Sequence, residues 1–107
     1  MYPKAGKTVR REGDKISVEG TITINNVVAM TQQGISLFEG HSLVIDLANV
    51  AEVDSSIVSM LLEWSREASQ KHLQLHFSNI PESVKSLMQL YGVSEFFLTI
   101  SNDQPIS

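Results

Sequence analysis

The sequence has no cysteine. That excludes a disulfide scaffold, a thiolate zinc ribbon and thiol catalysis. Basic residues are scarce: eight Lys and Arg stand against twelve Asp and Glu, giving −4 with neutral histidines. Five of the eight, Lys4, Lys7, Arg10, Arg11 and Lys15, lie near the N-terminus, and none falls between Ile16 and Ser65. That stretch carries only acids, among them Glu52, Asp54 and Glu63, so its field repels phosphate backbones and argues against nucleic acid as a partner. No apolar run approaches the ~20 residues of a membrane span. No apolar segment follows the basic start either, so the expectation is a cytoplasmic protein without a secretory signal.

Motifs of catalysis are equally sparse. There is no Gly-x-x-x-x-Gly-Lys-Ser/Thr, no Gly-x-Gly-x-x-Gly and no Gly-x-Ser-x-Gly, which removes the common nucleotide cradles and the hydrolase elbow. His72 and His76 are four apart, but the surrounding alternation is that of a strand, where four residues span ~13 Å, too far for one ion. Asp46, Glu52 and Asp54 have no cleft to share as an acid–base pair. No metal, cofactor or catalytic residue is expected, and the chain does not read as an enzyme.

What is present is a packed soluble domain: 42% of the residues are apolar and 19% charged, the balance of a globule rather than of a disordered chain. We read one domain over 1–107, with a core of about 8–98 and tails at 1–7 and 101–107. Thr8–Glu12 reads as a short strand and Lys15–Gly20 alternates at period two, and with the turn Gly13-Asp14 between them they suggest a hairpin. A helix is expected over Asn25–Phe38, with Ile24, Val27, Val28, Thr31 and Ile35 on its apolar face. Gly34 within it points to a close approach to the sheet or to the helix end. Ser42–Leu47 is a nearly continuous apolar run, as in a strand covered on both faces. Asn49–Asp54 reads as a loop, and Ser55 or Ser56 opens a helix to about Lys71. Leu73–Phe77 is another strand. Pro81-Glu82 starts a third helix, whose stripe is Val84, Leu87, Met88 and Tyr91, closed by Gly92. Glu95–Ile100 is a last short strand. The order β-β-α-β-α-β-α-β implies an α/β fold, a small mixed sheet with helices mainly on one face.

The most informative segment is Val53-Asp54-Ser55-Ser56-Ile57-Val58-Ser59-Met60-Leu61-Leu62. Ser55 can cap the helix through its hydroxyl, and the helix dipole and free N–H groups there favour a phosphate. The apolar face that follows is wide. Ile57, Leu61, Trp64 and Ala68 centre it, Val58 and Leu62 extend one edge and Met60 the other, so it spans roughly 200° where a core face shows ~100° or more. Either neighbouring helices cover both edges or one edge is left for a partner.

The strand Leu43-Val44-Ile45-Asp46-Leu47, the loop ending Val53-Asp54-Ser55-Ser56, the helix, the strand Leu73–Phe77 and the helix ending Leu90-Tyr91-Gly92-Val93 resemble a STAS domain over almost the whole chain, from about Thr8 to Leu98. That family includes the anti-sigma-factor antagonists and the cytoplasmic tails of sulphate transporters. Leu61-Leu62-Glu63-Trp64 and Asn79-Ile80-Pro81-Glu82-Ser83-Val84 resemble its MlaB-type branch. The resemblance implies an STAS-like, anti-sigma-factor-antagonist-like fold. It implies a non-catalytic subunit of an ABC transporter for phospholipid trafficking and outer-membrane lipid asymmetry in a Gram-negative bacterium. Such a subunit binds the transporter's ATPase, and through it the membrane permease, at the inner membrane. The family's functional hydroxyl matches Ser55, after Asp54. The contact surface implied is Asn49, Glu52, Asp54, Ser55 and Ser56, flanked by Ser59, Met60 and Glu63. The acidic loop calls for a basic patch on the partner, which helps the encounter rate more than the affinity. The alternative is an anti-sigma-factor antagonist, switched when an anti-sigma kinase phosphorylates Ser55. Antagonists usually carry Gly two residues after that serine, where this chain has Ile57. A homodimer stays open, because helix edges and sheet edges are both available.

Overall fold

The computed structural model describes residues 9–93. Two short strands come first, β1 (Val9–Glu12) and β2 (Lys15–Ile22), then helix α1 (Val27–Ser36) and the long strand β3 (Ser42–Val53). Helix α2 (Ser56–Gln70), strand β4 (Gln74–Ser78) and helix α3 (Glu82–Leu90) follow. The sheet order is β1-β2-β3-β4, antiparallel between β1 and β2 and parallel across the other two pairs. This is the mixed sheet expected. The last strand read from the sequence, Glu95–Ile100, lies outside the described residues, as does Thr8.

β1 and β2 meet through Gly13, whose φ of 62° suits a residue without Cβ. Arg11 ties this hairpin to the end of α1: its guanidinium donates to the carbonyls of Gly13, Leu37 and Glu39. Carbonyls at a helix C-terminus have no partner within the helix, so the arginine satisfies them and fixes where the chain turns towards β3.

β3 corrects two expectations. The run Leu43–Leu47 is not covered on both faces among the described residues. Leu43, Ile45 and Leu47 are fully buried, whereas Val44 and Asp46 on the other face are half-buried and Ser42 is exposed. Nor does the strand stop at Leu47. It runs to Val53, because β2 keeps pairing with it through two register shifts, from Ser17↔Asp46 to Glu19↔Asn49 and from Gly20↔Val50 to Ile22↔Val53. Each shift adds a residue to β3 relative to its partner. The first turns Val50 back into the core, three residues after Leu47. Asn49 and Glu52 therefore belong to a strand and not to a loop.

The core lies between the sheet and the helices. Among its most deeply buried members are Trp64, Ile16, Leu43, Ile45 and Phe77, all at most 1% exposed. The Trp64 indole donates to the Thr31 carbonyl at 3.0 Å and meets Phe38 edge-on with ring centroids 6.2 Å apart. Gly34 of α1 packs directly on this indole, where a Cβ would overlap the ring. The close approach read at Gly34 is thus to a neighbouring helix and not to the sheet. α1 is also shorter than expected. Ile24 and Val28, read as part of its buried stripe, are 72% and 71% exposed. On α3, Val84 and Met88 are buried, but Tyr91, the last member of that stripe, is exposed. Gly92 ends this helix with φ 71°, and the Val93 N–H returns to the Met88 carbonyl, the bond pattern of a left-handed helix end.

Candidate functional site

The extension of β3 delivers Asp54 to the start of α2. Ser55 already has helical backbone angles, φ −64° and ψ −15°, and its side chain makes no capping bond. The expected cap moves one residue back. Asp54 Oδ1 accepts the Ser56 N–H at 2.9 Å and the Ser56 hydroxyl, and Oδ2 accepts the Ile24 N–H at 3.0 Å. One carboxylate therefore joins the β2–α1 turn to the N-terminus of α2. The donated Ser56 hydroxyl, the Ile24 N–H and the Ser56 N–H, in that order, hold the Asp54 carboxyl below its ordinary value of 3.8. It is ionised at neutral pH.

This arrangement removes one expectation. The Ile57 and Val58 N–H groups bond the carbonyls of Asp54 and Ser55, and the Ser56 N–H bonds the Asp54 side chain. These N–H groups are not free to cradle a phosphate, and the ionised Asp54 opposes a second anion. The Ser55 hydroxyl, in contrast, is exposed and makes no hydrogen bond among the described residues. No histidine or carboxylate contacts it as a base there, so nothing activates it as a nucleophile.

Ser55 opens onto a groove of about 630 Å³. Ser59, one turn further along α2, is exposed in the same groove, and Leu62 continues its wall while Val58 forms part of its lining. Ile24 stands at one side, and Tyr91 and Val93 beyond the end of α3 line it as well. The other proposed contact residues are placed elsewhere. Met60, expected to flank the contact surface, is 1% exposed and belongs to the core. Its side is covered from within, and the edge that stays accessible is that of Leu62. Glu63 is half-buried and paired with Arg66 at 3.2 Å. Asn49 and Glu52 are exposed on β3 and do not line the groove. The sequence reading brought Asp54, Ser55, Ser56 and Ser59 together and missed Ile24, Leu62 and Tyr91 as groove residues. A signal for Ile24 existed: Thr23, Asn25 and Asn26 around it are turn formers.

Among the described residues no group of three or more histidines and carboxylates is placed to hold a metal ion. No helix there is long and apolar enough to cross a membrane.

A family model described as "Mlab, STAS domain" matches residues 6–100. Among solved structures, the anti-sigma factor antagonist SpoIIAA in its unphosphorylated form superposes with a TM-score of 0.64 at 16% identity, over 81% of each chain. A variant of RsbS from Moorella thermoacetica gives 0.58 at 22% identity, over 89% of this chain and 84% of that one. The protein Mglu gives 0.56 at 24% identity over 71% of this chain, which spans only 20% of Mglu. These likenesses establish the fold alone. Among proteins of curated function, none matches this sequence.

Proposed function

The chain belongs to the STAS-domain family, and on that premise we propose that it is the non-catalytic interaction subunit of an ABC transporter that moves phospholipid, binding and supporting the ATPase subunit at the inner membrane. The observation that carries this reading is the exposed Ser55 hydroxyl beside an apolar groove at the start of α2. A hydroxyl with no internal partner and no base is placed to bond another protein, and Asp54 holds the backbone that presents it. Ser56, bonded to Asp54, supports that backbone from inside. Ser59 lies one turn along the same exposed side.

The test is a titration with the ATPase subunit of the same organism's transporter. Ser55→Ala should weaken the complex by about tenfold, the effect of one interface hydrogen bond left unmade. The melting temperature should not change, because the hydroxyl caps nothing. Equal affinity of Ser55→Ala and the unaltered chain would remove this role from Ser55.

The same exposed hydroxyl favours a second reading, an anti-sigma-factor antagonist switched by phosphorylation. Adding about −1.5 to −2 charge next to ionised Asp54 would turn an attractive face into a repelling one. Incubation with the organism's anti-sigma kinases should then raise the intact mass by one phosphate, and Ser55→Ala should abolish the gain.

A further inference from the structure

Asn26 precedes the first residue of α1, where an asparagine ordinarily turns its side chain forward to accept an N–H of the first helical turn. Here it makes no such bond. Its amide folds back on the β2–α1 turn instead. Oδ1 accepts the Thr23 N–H at 2.9 Å, and Nδ2 donates to the Thr21 carbonyl at 2.8 Å. Both halves of the amide are engaged. Among the residues that favour this position, asparagine is the one with an acceptor and a donor on separate side-chain atoms. The Asn25 N–H, bonded to the Thr23 hydroxyl, and the Asn26 N–H, bonded to the Thr23 carbonyl, close the turn.

One N–H of this turn bonds outside it. Ile24 donates to Asp54 Oδ2 at 3.0 Å. The Asp54 backbone is fixed separately, by its N–H bond to the Ile22 carbonyl at 3.2 Å. β2 therefore sets where Asp54 lies, and the Ile24 bond sets where Oδ2 points. The other oxygen accepts the Ser56 N–H and hydroxyl. Bonds thus run without a gap from Asn26, through the turn and Asp54, to the start of α2, where Ser55 stands between Asp54 and Ser56.

We infer that Asn26 is a positioning residue for the Ser55 hydroxyl: by holding the β2–α1 turn it keeps the Ile24 N–H on Asp54, and so keeps the start of α2 in one arrangement before a partner binds. A contact ordered in advance loses less conformational entropy on binding than one ordered by the partner. The inference rests on the reading of Ser55 as a contact to the ATPase subunit, and adds a residue that acts on that contact through Asp54.

The test starts from Asn26→Ser. Serine caps a helix about as well as asparagine, but it puts one short hydroxyl in place of two amide atoms. Affinity for the purified ATPase subunit is measured for the unaltered chain, Asn26→Ser, Ser55→Ala and the double variant, well below the melting temperature of each. Asn26→Ser should bind about threefold or more weakly, and its Ile24 amide should exchange hydrogen faster. In the Ser55→Ala background the same substitution should change the affinity by less than about twofold, because the hydroxyl it positions is gone. A general loss of fold would weaken binding equally in both backgrounds. Asn26→Ala, which leaves neither side-chain bond, should lose at least as much affinity as Asn26→Ser. Full affinity in both Asn26 variants, or an equal loss with and without the Ser55 hydroxyl, overturns the positioning role and leaves the transporter reading in place. Absence of binding by the unaltered chain overturns the transporter reading, and this inference with it.

Discussion

An aspartate followed by two serines offers three side chains that can cap one helix, and geometry decides which does. Asp54 comes off the end of β3, whereas Ser55 is already in the helical region. Only the side chain before the helix can fold back onto its first N–H groups. The carboxylate therefore caps, Ser56 donates its hydroxyl to it, and Ser55 is left to solvent. Asp54→Ala should lower the melting temperature and speed hydrogen exchange at two amides, those of Ile24 and Ser56, because each loses its acceptor. Ser55→Ala should do neither. A protein in which both substitutions destabilise equally would contradict this division of roles.

The pairing of α1 with α2 depends on one missing side chain. The Trp64 indole lies against Gly34, and its N–H is fixed by the Thr31 carbonyl while Phe38 meets it edge-on. Alanine would favour the helix by about 1 kcal/mol, yet its methyl would enter space the ring occupies, and overpacking of this kind costs about 1–3 kcal/mol. The ring cannot step aside without breaking its hydrogen bond. Gly34→Ala should therefore be net destabilising, by up to about 2 kcal/mol, and adding Trp64→Phe should make the two costs less than additive. Thermal melts of the four proteins in this cycle check both statements. The same pair shows what sequence patterns reveal. Period-two alternation and the 3.6-residue stripe place β2, β4, α2 and α3 close to their observed bounds. A glycine inside a helical stripe signalled close approach, but the partner, thirty residues away, is a tertiary fact. The apolar run that marks β3 ends at Leu47, whereas the strand continues to Val53 through the register shifts near Ala48-Asn49 and Ala51-Glu52. A bulge and a loop look alike in sequence when the pairing strand is not known. The stripes that include Ile24 and Tyr91 point to the core, because apolar residues at helical spacing usually lie there. Only the actual helix ends, at Val27 and Leu90, put them outside.

At the scale of the whole molecule, among the described residues the helices cover one face of the sheet, and the other face carries mostly polar side chains, with Val44 half-buried among them. Its ion pairs, Arg10 with Glu19 and Lys15 with Asp46, are 3.5 and 3.8 Å long, and the basic partner of each is about half exposed, so they contribute little to stability. Two carboxylates matter more, because they join distant parts of the chain. Asp46 accepts from the Asn79 side chain and the Ala48 N–H, holding the β4–α3 connection to the first shift in β3. The Asn79 and Ala48 bonds, against the opposing effect of burial, lower its carboxyl below the ordinary 3.8, with a smaller contribution from Lys15. Asp54 is lowered as well, by Ser56 and Ile24. A group whose carboxyl is lowered on folding binds its proton more readily in the unfolded chain. Its stabilisation is therefore complete above 3.8 and is lost as the pH falls through its lower folded value. Both groups act in the same direction, so the stabilisation these two carboxylates supply should be present at neutral pH and be lost as the pH falls below about 4. Asp46→Asn lacks the titrating group at one of the two junctions. It should be less stable than the unaltered chain at neutral pH and lose less on acidification. Urea titrations at a series of pH values measure this, and an acid limb identical in the two proteins would show that Asp46 takes no part in it.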